Sequence, residues 1–284
     1  LENFTNLLKD ILENGIDKPD RTGVGVRSVW GRSLRWNLAE GFPMVTTRKV
    51  SFRIAFEETM FFLRGERDTK KLEEKKINIW KGNTSREFLD NRGLHHLEEG
   101  DMGYGYSHQW RNFGGVDEPL TAGVDQVRNL VTGLVEDPYS RRHIVSAWNP
   151  QQLEQTPLPP CHIMHQYQVM PNNKLNSSFY MRSNDVYLGL PTNIMGYAFL
   201  NMAFSKLCGY TPGELVYFGS DVHLYHNQLE VAEMQAQREP RPLPQLVFHK
   251  DFKTFDELLQ LEWSDIEIVG YDPHPALPKV EMAV

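Results

Sequence analysis

Cys161 stands in Leu158-Pro159-Pro160-Cys161-His162, where two prolines of fixed φ stiffen the approach to one thiol. A thiolate is a nucleophile, and a nearby cation lowers its pKa; the adjacent His162 offers such a group. A lone cysteine is more often a core filler, and Cys208, within an apolar run, reads that way. Arginines recur in short segments: Arg21 in Arg21-Thr22-Gly23, Arg141-Arg142 after Asp137-Pro138-Tyr139-Ser140, and Arg182-Ser183 at the end of a strand. Paired guanidiniums with a serine hydroxyl suit a phosphate dianion, because each planar fork donates two bonds. Surface ion pairs are the alternative for any one of them. No P-loop or GxGxxG turn is present, so a nucleoside triphosphate is not indicated. Asn193 sits where the Leu188–Pro191 turn enters an apolar stretch, and a carboxamide there is costly unless bonded. It donates and accepts together, which matches the imide edge of uracil; helix capping is the alternative. His223 and Tyr225 alternate on one strand and face the same side.

These residues need elements to hold them. Leu1, Phe4, Leu8, Ile11 and Leu12 recur at helical spacing, so the chain opens on an amphipathic helix. Val26–Leu38 reads as one or two strands. Ser51–Leu63 is apolar on nearly every face apart from Glu57 and Glu58, so the helix is buried and one carboxylate with it. Lys70–Lys76 reads as a solvated helix face, and Val124–Val135 as a second amphipathic helix. His143–Trp148, His162–Met170 and Lys174–Met181 read as strands, with a turn at Pro171–Asn173. Ile194–Leu207 is apolar all round and predicts a central core helix that stops at Gly209. Val216–Phe218, Val222–Tyr225, Gln245–His249 and Ile266–Val269 are further strands. No repeat, long linker or domain boundary interrupts residues 1–284, so we expect one α+β domain with a mixed sheet.

Composition narrows the function. The 284 residues are 40% hydrophobic and 24% charged, ordinary for a globular chain with a sizeable core. The net charge of −7 disfavours nucleic acid as the main partner. Two cysteines exclude a disulfide scaffold and cannot alone make a structural zinc site; reduced thiols and a cytoplasmic setting are expected, with no metal. The longest apolar stretches, Ile54–Leu63 and Ile194–Phe204, are too short to span a membrane, and Leu1–Leu12 is unlike a secretory signal. The chain begins at Leu1 rather than Met, and any upstream segment stands outside this reading.

Taken together, these motifs resemble the thymidylate synthase family from Arg21 to Val284. They are Arg21-Thr22-Gly23, Asp137–Arg142 with Ser146-Ala147-Trp148-Asn149, Leu158–His162, Arg182-Ser183-Asn184-Asp185, Leu188–Asn193, Asp221–Tyr225 and the tail from Gly270-Tyr271 to Ala283-Val284. The resemblance implies a homodimer joined sheet to sheet, with arginines shared across the interface. It implies that Cys161 attacks carbon six of dUMP, making carbon five a nucleophile for the one-carbon unit of 5,10-methylenetetrahydrofolate, a co-substrate. Arg21, Arg182 and Ser183 would hold the phosphate, with Arg141 and Arg142 from the partner subunit, and Arg182 would also stabilise the thiolate. Asn193 would read the uracil edge, and His223 and Tyr225 the deoxyribose hydroxyl. Glu58 would organise the proton relay, with Tyr106 and His162 in the water network that removes the carbon-five proton. Ile79, Trp80, Asp185, Leu188, Gly189, Thr192, Tyr225 and the tail residues Met282 and Ala283 would hold the folate.

Departures from the family pattern cluster around this site. Thr192 replaces a phenylalanine, Met195 and Gly196 replace small residues, and Met181 replaces a glutamine before Arg-Ser. Gly103-Tyr104-Gly105-Tyr106-Ser107 differs from the usual loop, and Arg48 stands for a lysine. Met181–Asp185 also resembles the phage dCMP hydroxymethylases, a branch of the superfamily in which water, not hydride, completes the reaction. Lost aromatic bulk, with the Thr192 and Ser107 hydroxyls, would admit such a water. With Asn193 suited to uracil, the combination implies a dUMP hydroxymethylase, placed in a host cytoplasm if viral. The alternative is a divergent thymidylate synthase giving dTMP and dihydrofolate, supported by Trp80, Tyr225 and the Met282-Ala283-Val284 tail. A regulatory RNA-binding role is a minor alternative, disfavoured by the acidic balance and the lack of a basic aromatic stripe.

Overall fold

A computed structural model describes residues 2–117 and 120–283. Leu1 and Val284, the ends of two expected segments, lie outside the described residues. Helix α1 (Glu2–Asn14) buries Phe4, Leu8 and Ile11, the stripe its periodicity predicts. Strands β1 (Ile16–Lys18) and β2 (Val26–Asn37) follow. Helix α2 (Phe52–Leu63) is buried on most faces; Glu57 is 4% exposed and is held there by the Lys75 ammonium at 2.6 Å. Helix α3 (Lys70–Glu74) buries only Leu72 and leaves Lys70, Lys71 and Glu74 in solvent, as the charge run predicts. Next come α4 (Arg86–Asn91), α5 (Tyr106–Asn112) and α6 (Gln126–Glu136). Strands β3 (Ile144–Ser146), β4 (His162–Val169) and β5 (Lys174–Asp185) lead into α7 (Gly189–Cys208) and β6 (Thr211–Tyr225). The chain ends through α8 (Leu229–Ala236), β7 (Gln245–Phe248), α9 (Phe255–Leu258) and β8 (Ile266–Val269).

The main sheet has the order β1-β2-β6-β5-β4-β3, and β7 pairs with β8 separately. All neighbours in the main sheet run antiparallel except β5 and β6. That parallel pair needs a long crossover, and α7 supplies it. The expected mixed sheet of one α+β domain is therefore present. One apolar cluster joins α1, α2, α7 and the inner sheet face. Fully buried side chains such as Phe199 and Phe204 on α7 each contribute roughly 1.5–3 kcal/mol by leaving water. Gly209 closes α7 at φ 79°, a conformation a side chain would strain.

Three expectations need correction. The two strands expected at Val216–Phe218 and Val222–Tyr225 are one, because Gly219 and Asp221 keep pairing with both β2 and β5. The strand expected to stop at Met181 runs to Asp185, pairing with β6 throughout. Helix α7 starts at Gly189 rather than Ile194: Pro191 falls in its first turn, where a missing N–H costs nothing.

The burial alternation of three strands changes phase at one level. Met181 and Asn184 are both buried in β5, Gly219 and Val222 in β6, and Val29 and Leu34 in β2. Strict alternation would bury Ser183 and Asp221 instead. Gly31, at φ 68°, accommodates the change in β2. On the sheet's other face, Met164, Tyr180, Phe218 and Ser33 form one cross-strand row, and Phe218 is 45% exposed.

Candidate active site

The ends of β5 and β6, the start of α7 and the segment before β4 converge on Cys161. Proline carries a carbonyl but no N–H, so Pro159 and Pro160 present acceptors without donors. The Arg182 guanidinium fills that need: Nε donates to Pro160 O at 2.7 Å and Nη2 to Pro159 O at 2.9 Å. Its Nη2 lies 3.9 Å from Cys161 Sγ, and its plane sits over the Trp148 ring at 5.5 Å. Arg182 therefore both builds the thiol's approach and charges its surroundings. Burial pushes the Cys161 thiol up, while the Arg182 and Arg21 charges pull it down.

His162 does not supply the activating cation. Its ring stacks on Tyr106 at 3.9 Å, and its Nδ1 lies 2.6 Å from the Tyr197 hydroxyl. Burial pushes its pKa down to about 3, so it stays neutral. Tyr106 opens α5, and its hydroxyl accepts the Cys161 backbone N–H at 2.7 Å. Burial raises that phenol well above its usual pKa and keeps it a proton donor.

A small cavity, reached from the Cys161-His162 segment by the His162 ring, is bounded by Glu58, Thr59, His162, Thr192, Asn193 and Gly196, among others. Glu58 reaches it from α2. Burial pushes its carboxyl up to about 7, although the Trp80 indole N–H donates to Oε1 at 2.8 Å. A group poised near neutrality can take and return a proton. Asn193, in the second turn of α7, faces the same space. Asn184 Nδ2 donates to Asn193 Oδ1 at 3.4 Å, while the buried Asn184 Oδ1 has no partner among the described residues.

Only part of the expected room for water is present. Ser107 is buried but does not line the cavity, and Met195 is packed in the core. A Cβ on Gly196 would stand 2.8 Å from Thr59 Oγ1, so the space the glycine frees is taken by that hydroxyl. Arg48 turns inward, donating to Tyr187 O and to Gln235 Oε1 at 3.1 Å.

Asp185 ends β5 with both oxygens held: Leu188 N–H donates to Oδ1 and Gln228 Nε2 to Oδ2, each at 2.9 Å. Burial raises this carboxyl. Leu188 and Gly189 follow it directly at the start of α7, and Ile79 and Trp80 are half-buried beside Glu58. His223 and Tyr225 share a face of β6, rings 5.3 Å apart, and His223 Nδ1 lies 3.2 Å from Asp221 Oδ1. Burial pushes the Tyr225 phenol up to about 12. Ser183 is half-buried on β5 next to Arg182. Arg21 is exposed but near enough to act on Cys161 and Tyr225. Arg141 and Arg142 are exposed before β3, and no ion pair engages them among the described residues. The tail approaches the end of β6, where Asn227 Nδ2 donates to Glu281 O at 3.1 Å; Met282 is exposed and Ala283 half-buried.

Sequence reasoning missed Asn184, Thr59 and Gln228. All three are buried polar residues, a type that needs a reason to be there, but only their partners reveal it. Among the described residues, no group of three or more His, Cys, Asp or Glu could hold a metal, and no helix is long and apolar enough to cross a membrane.

Residues 2–284 match the thymidylate synthase family. The chain is 42% identical over 286 aligned positions to the bifunctional dihydrofolate reductase-thymidylate synthase of Paramecium tetraurelia, covering 99% of this chain and 61% of that protein. It is 41% identical over 286 positions to the protein of the same description from Zea mays, covering 99% of this chain and 54% of that one. It is 44% identical over 281 positions to thymidylate synthase 1/2 of Encephalitozoon cuniculi (strain GB-M1), covering 96% and 94%. The chain thus spans less than two thirds of the two bifunctional relatives.

Proposed function

Because this chain belongs to the thymidylate synthase family, we propose that it methylates dUMP at carbon five with 5,10-methylenetetrahydrofolate, giving dTMP and dihydrofolate. The observation that carries this reading is the Cys161 thiol 3.9 Å from the Arg182 guanidinium, with the next residue, His162, lining a cavity shared by Glu58 and Asn193. The thiolate adds to carbon six, and the electron pair moves to carbon five, which bonds to the one-carbon unit. Glu58, with a pKa near 7, relays the carbon-five proton, and Tyr106 and His162 order the water around it. Loss of that proton would expel tetrahydrofolate, breaking the bond between the one-carbon unit and the folate nitrogen and leaving an exocyclic methylene on carbon five. A hydride from the tetrahydrofolate would reduce this methylene to methyl, giving dihydrofolate, as the C5–C6 double bond re-forms and Cys161 leaves as thiolate.

Arg21, the unused donors of Arg182, and Ser183 hold the phosphate in this reading. The exposed Arg141 and Arg142 complete that site from a partner subunit, in a homodimer formed through the half-exposed sheet face around Phe218. Asn193 reads the uracil edge, and His223 and Tyr225 the sugar. For the folate, Asp185 offers a buried acceptor, with Ile79, Trp80, Leu188, Gly189, Thr192, Tyr225, Met282 and Ala283 as walls.

The hydroxymethylase reading gains no support from these relatives, each of which is named as a thymidylate synthase or a bifunctional enzyme containing one. Its structural basis has also narrowed, since Ser107 lies away from the cavity and Thr59 fills the space beside Gly196. Product analysis separates the two. Methyl-dUMP mass with one dihydrofolate per turnover, read by absorbance, is the expected result. Hydroxymethyl-dUMP without dihydrofolate would overturn it.

A further inference from the structure

Gln228 is fully buried at the end of β6, where its carboxamide joins two strands of the site. Its Oε1 accepts the Tyr225 backbone N–H at 3.0 Å, and its Nε2 donates to Asp185 Oδ2 at 2.9 Å. A free carboxamide flips readily. Here a flip would set the NH2 group against an N–H and the oxygen against a carboxylate, so only one orientation is allowed. Leu188 N–H holds the other carboxylate oxygen at 2.9 Å. The Tyr187 backbone N–H is also directed at this carboxyl, so three inward donors hold it and a lone pair is left for an incoming N–H.

We propose that Gln228 is a positioning residue that aims the Asp185 carboxylate at the donor edge of the folate ring, and that it ties this aim to the strand end carrying Tyr225. The proposal rests on the folate reading of Asp185 given above. A carboxylate without this donor keeps the Leu188 and Tyr187 backbone N–H groups but loses the side-chain bond that holds Oδ2, and so is less restrained about its Cβ–Cγ bond. Removing a hydrogen bond to a charged group costs about a factor of 10 or more in affinity. That loss falls on the folate. The nucleotide is spared, because Tyr225 and His223 stay fixed by the β6 ladder itself.

The test compares the wild type with Gln228→Met, which keeps length but no amide, and with Gln228→Glu, which turns a second carboxylate on Asp185. Folate and dUMP constants are measured from pH 6 to 9, with calorimetric dUMP binding and a melting curve for each. We expect the KM for methylenetetrahydrofolate to rise about tenfold or more in both variants, with dUMP affinity within about threefold. As pH falls, the folate KM should also begin to worsen at a higher pH in Gln228→Met than in the wild type, because Asp185 then faces only the Leu188 and Tyr187 N–H groups and the His223, Arg48, Tyr187 and Tyr225 side chains. In an Asp185→Ala background, Gln228→Met should change folate binding no further. Equal loss of folate and dUMP binding, an unmoved folate KM, or the same loss in the Asp185→Ala background would each overturn the proposal. If Gln228→Met does not fold, Gln228→Glu carries the same comparison. Wild-type protein that binds dUMP but no folate would fail the folate reading itself. Normal wild-type folate binding with unmoved variants fails only the role of Gln228.

Discussion

The Tyr106 hydroxyl accepts the backbone N–H of Cys161 at 2.7 Å, so the first residue of α5 fixes the peptide that presents the nucleophile. Removing that oxygen leaves an N–H without its partner. We expect Tyr106→Phe to lose about 1–3 kcal/mol of stability in urea titrations. Its turnover should fall by a larger factor than its dUMP affinity. Unchanged stability would mean that the bond holds nothing.

Glu58 titrates in a window that folding can report. Burial lifts its folded pKa to about 7 from an ordinary 4.5, so between those values the folded chain keeps a proton that the unfolded chain releases. Unfolding free energy from this group is therefore highest below about pH 4.5 and falls as pH rises towards 7. Glu58→Gln should flatten that slope when urea midpoints are compared at pH 5 and pH 7.5. It should also remove any inflection near 7 in the kcat profile. His162, held neutral, contributes no step there. A wild-type slope retained in the variant would place the titration on another group.

In the proposed reading, base choice rests on one carboxamide. Asn193→Asp exchanges a donor for an acceptor and should move kcat/KM from dUMP towards dCMP by about tenfold or more. An unmoved ratio would take Asn193 away from the base edge.

Gly196 and Thr59 form a testable pair. A methyl at 196 meets Thr59 Oγ1 at 2.8 Å, and threonine on a helix has few rotamers to retreat into. Gly196→Ala should cost about 1–3 kcal/mol by overpacking, outweighing the ~1 kcal/mol helix gain. In a Thr59→Ala background the same change should turn neutral or stabilising. Additive effects in the double-mutant cycle would show no contact.

The proposed homodimer, with arginines shared across it, makes a quantitative prediction. Cys161→Ser protein mixed and refolded with Arg141→Ala/Arg142→Ala protein gives heterodimers in which one site keeps both the thiol and the partner's arginines. Random pairing should restore about one quarter of wild-type activity, since half the dimers are mixed and each has one intact site of two. No recovery would place the arginines in the same chain as their thiol, or outside the site.

Much of this site was legible because its residues carry chemistry by type: Cys161, Arg182, Asn193 and Asp185 stand in short, ordered motifs. The elements were legible where one period ran unbroken, as in α1 and α6, or where a long run was apolar on all faces, as in α2 and the body of α7. Asn184 escaped because the burial phase of β5 changes beside it, and a strict period of two points it the wrong way. His162 misled for the opposite reason: sequence adjacency placed it beside the thiol, whereas its ring goes to Tyr106 and Tyr197. Gln228 was hidden because a buried amide declares its role only through two bonds to distant strands. The sequence pattern shows bulk lost beside Asn193 but not that Thr59 Oγ1, from a distant helix, occupies part of that space.

The pairing of Val26 with Tyr225 has a consequence during synthesis. The early strand leaves the ribosome with one edge open and waits for a partner encoded far downstream. At ~5–20 residues per second, the roughly 200 intervening residues take about 10–40 s to arrive. Over that interval Val29, Leu34 and Trp36 have α1 to pack on but not the rest of their cluster, so a chaperone has its strongest claim on this protein before β6 emerges.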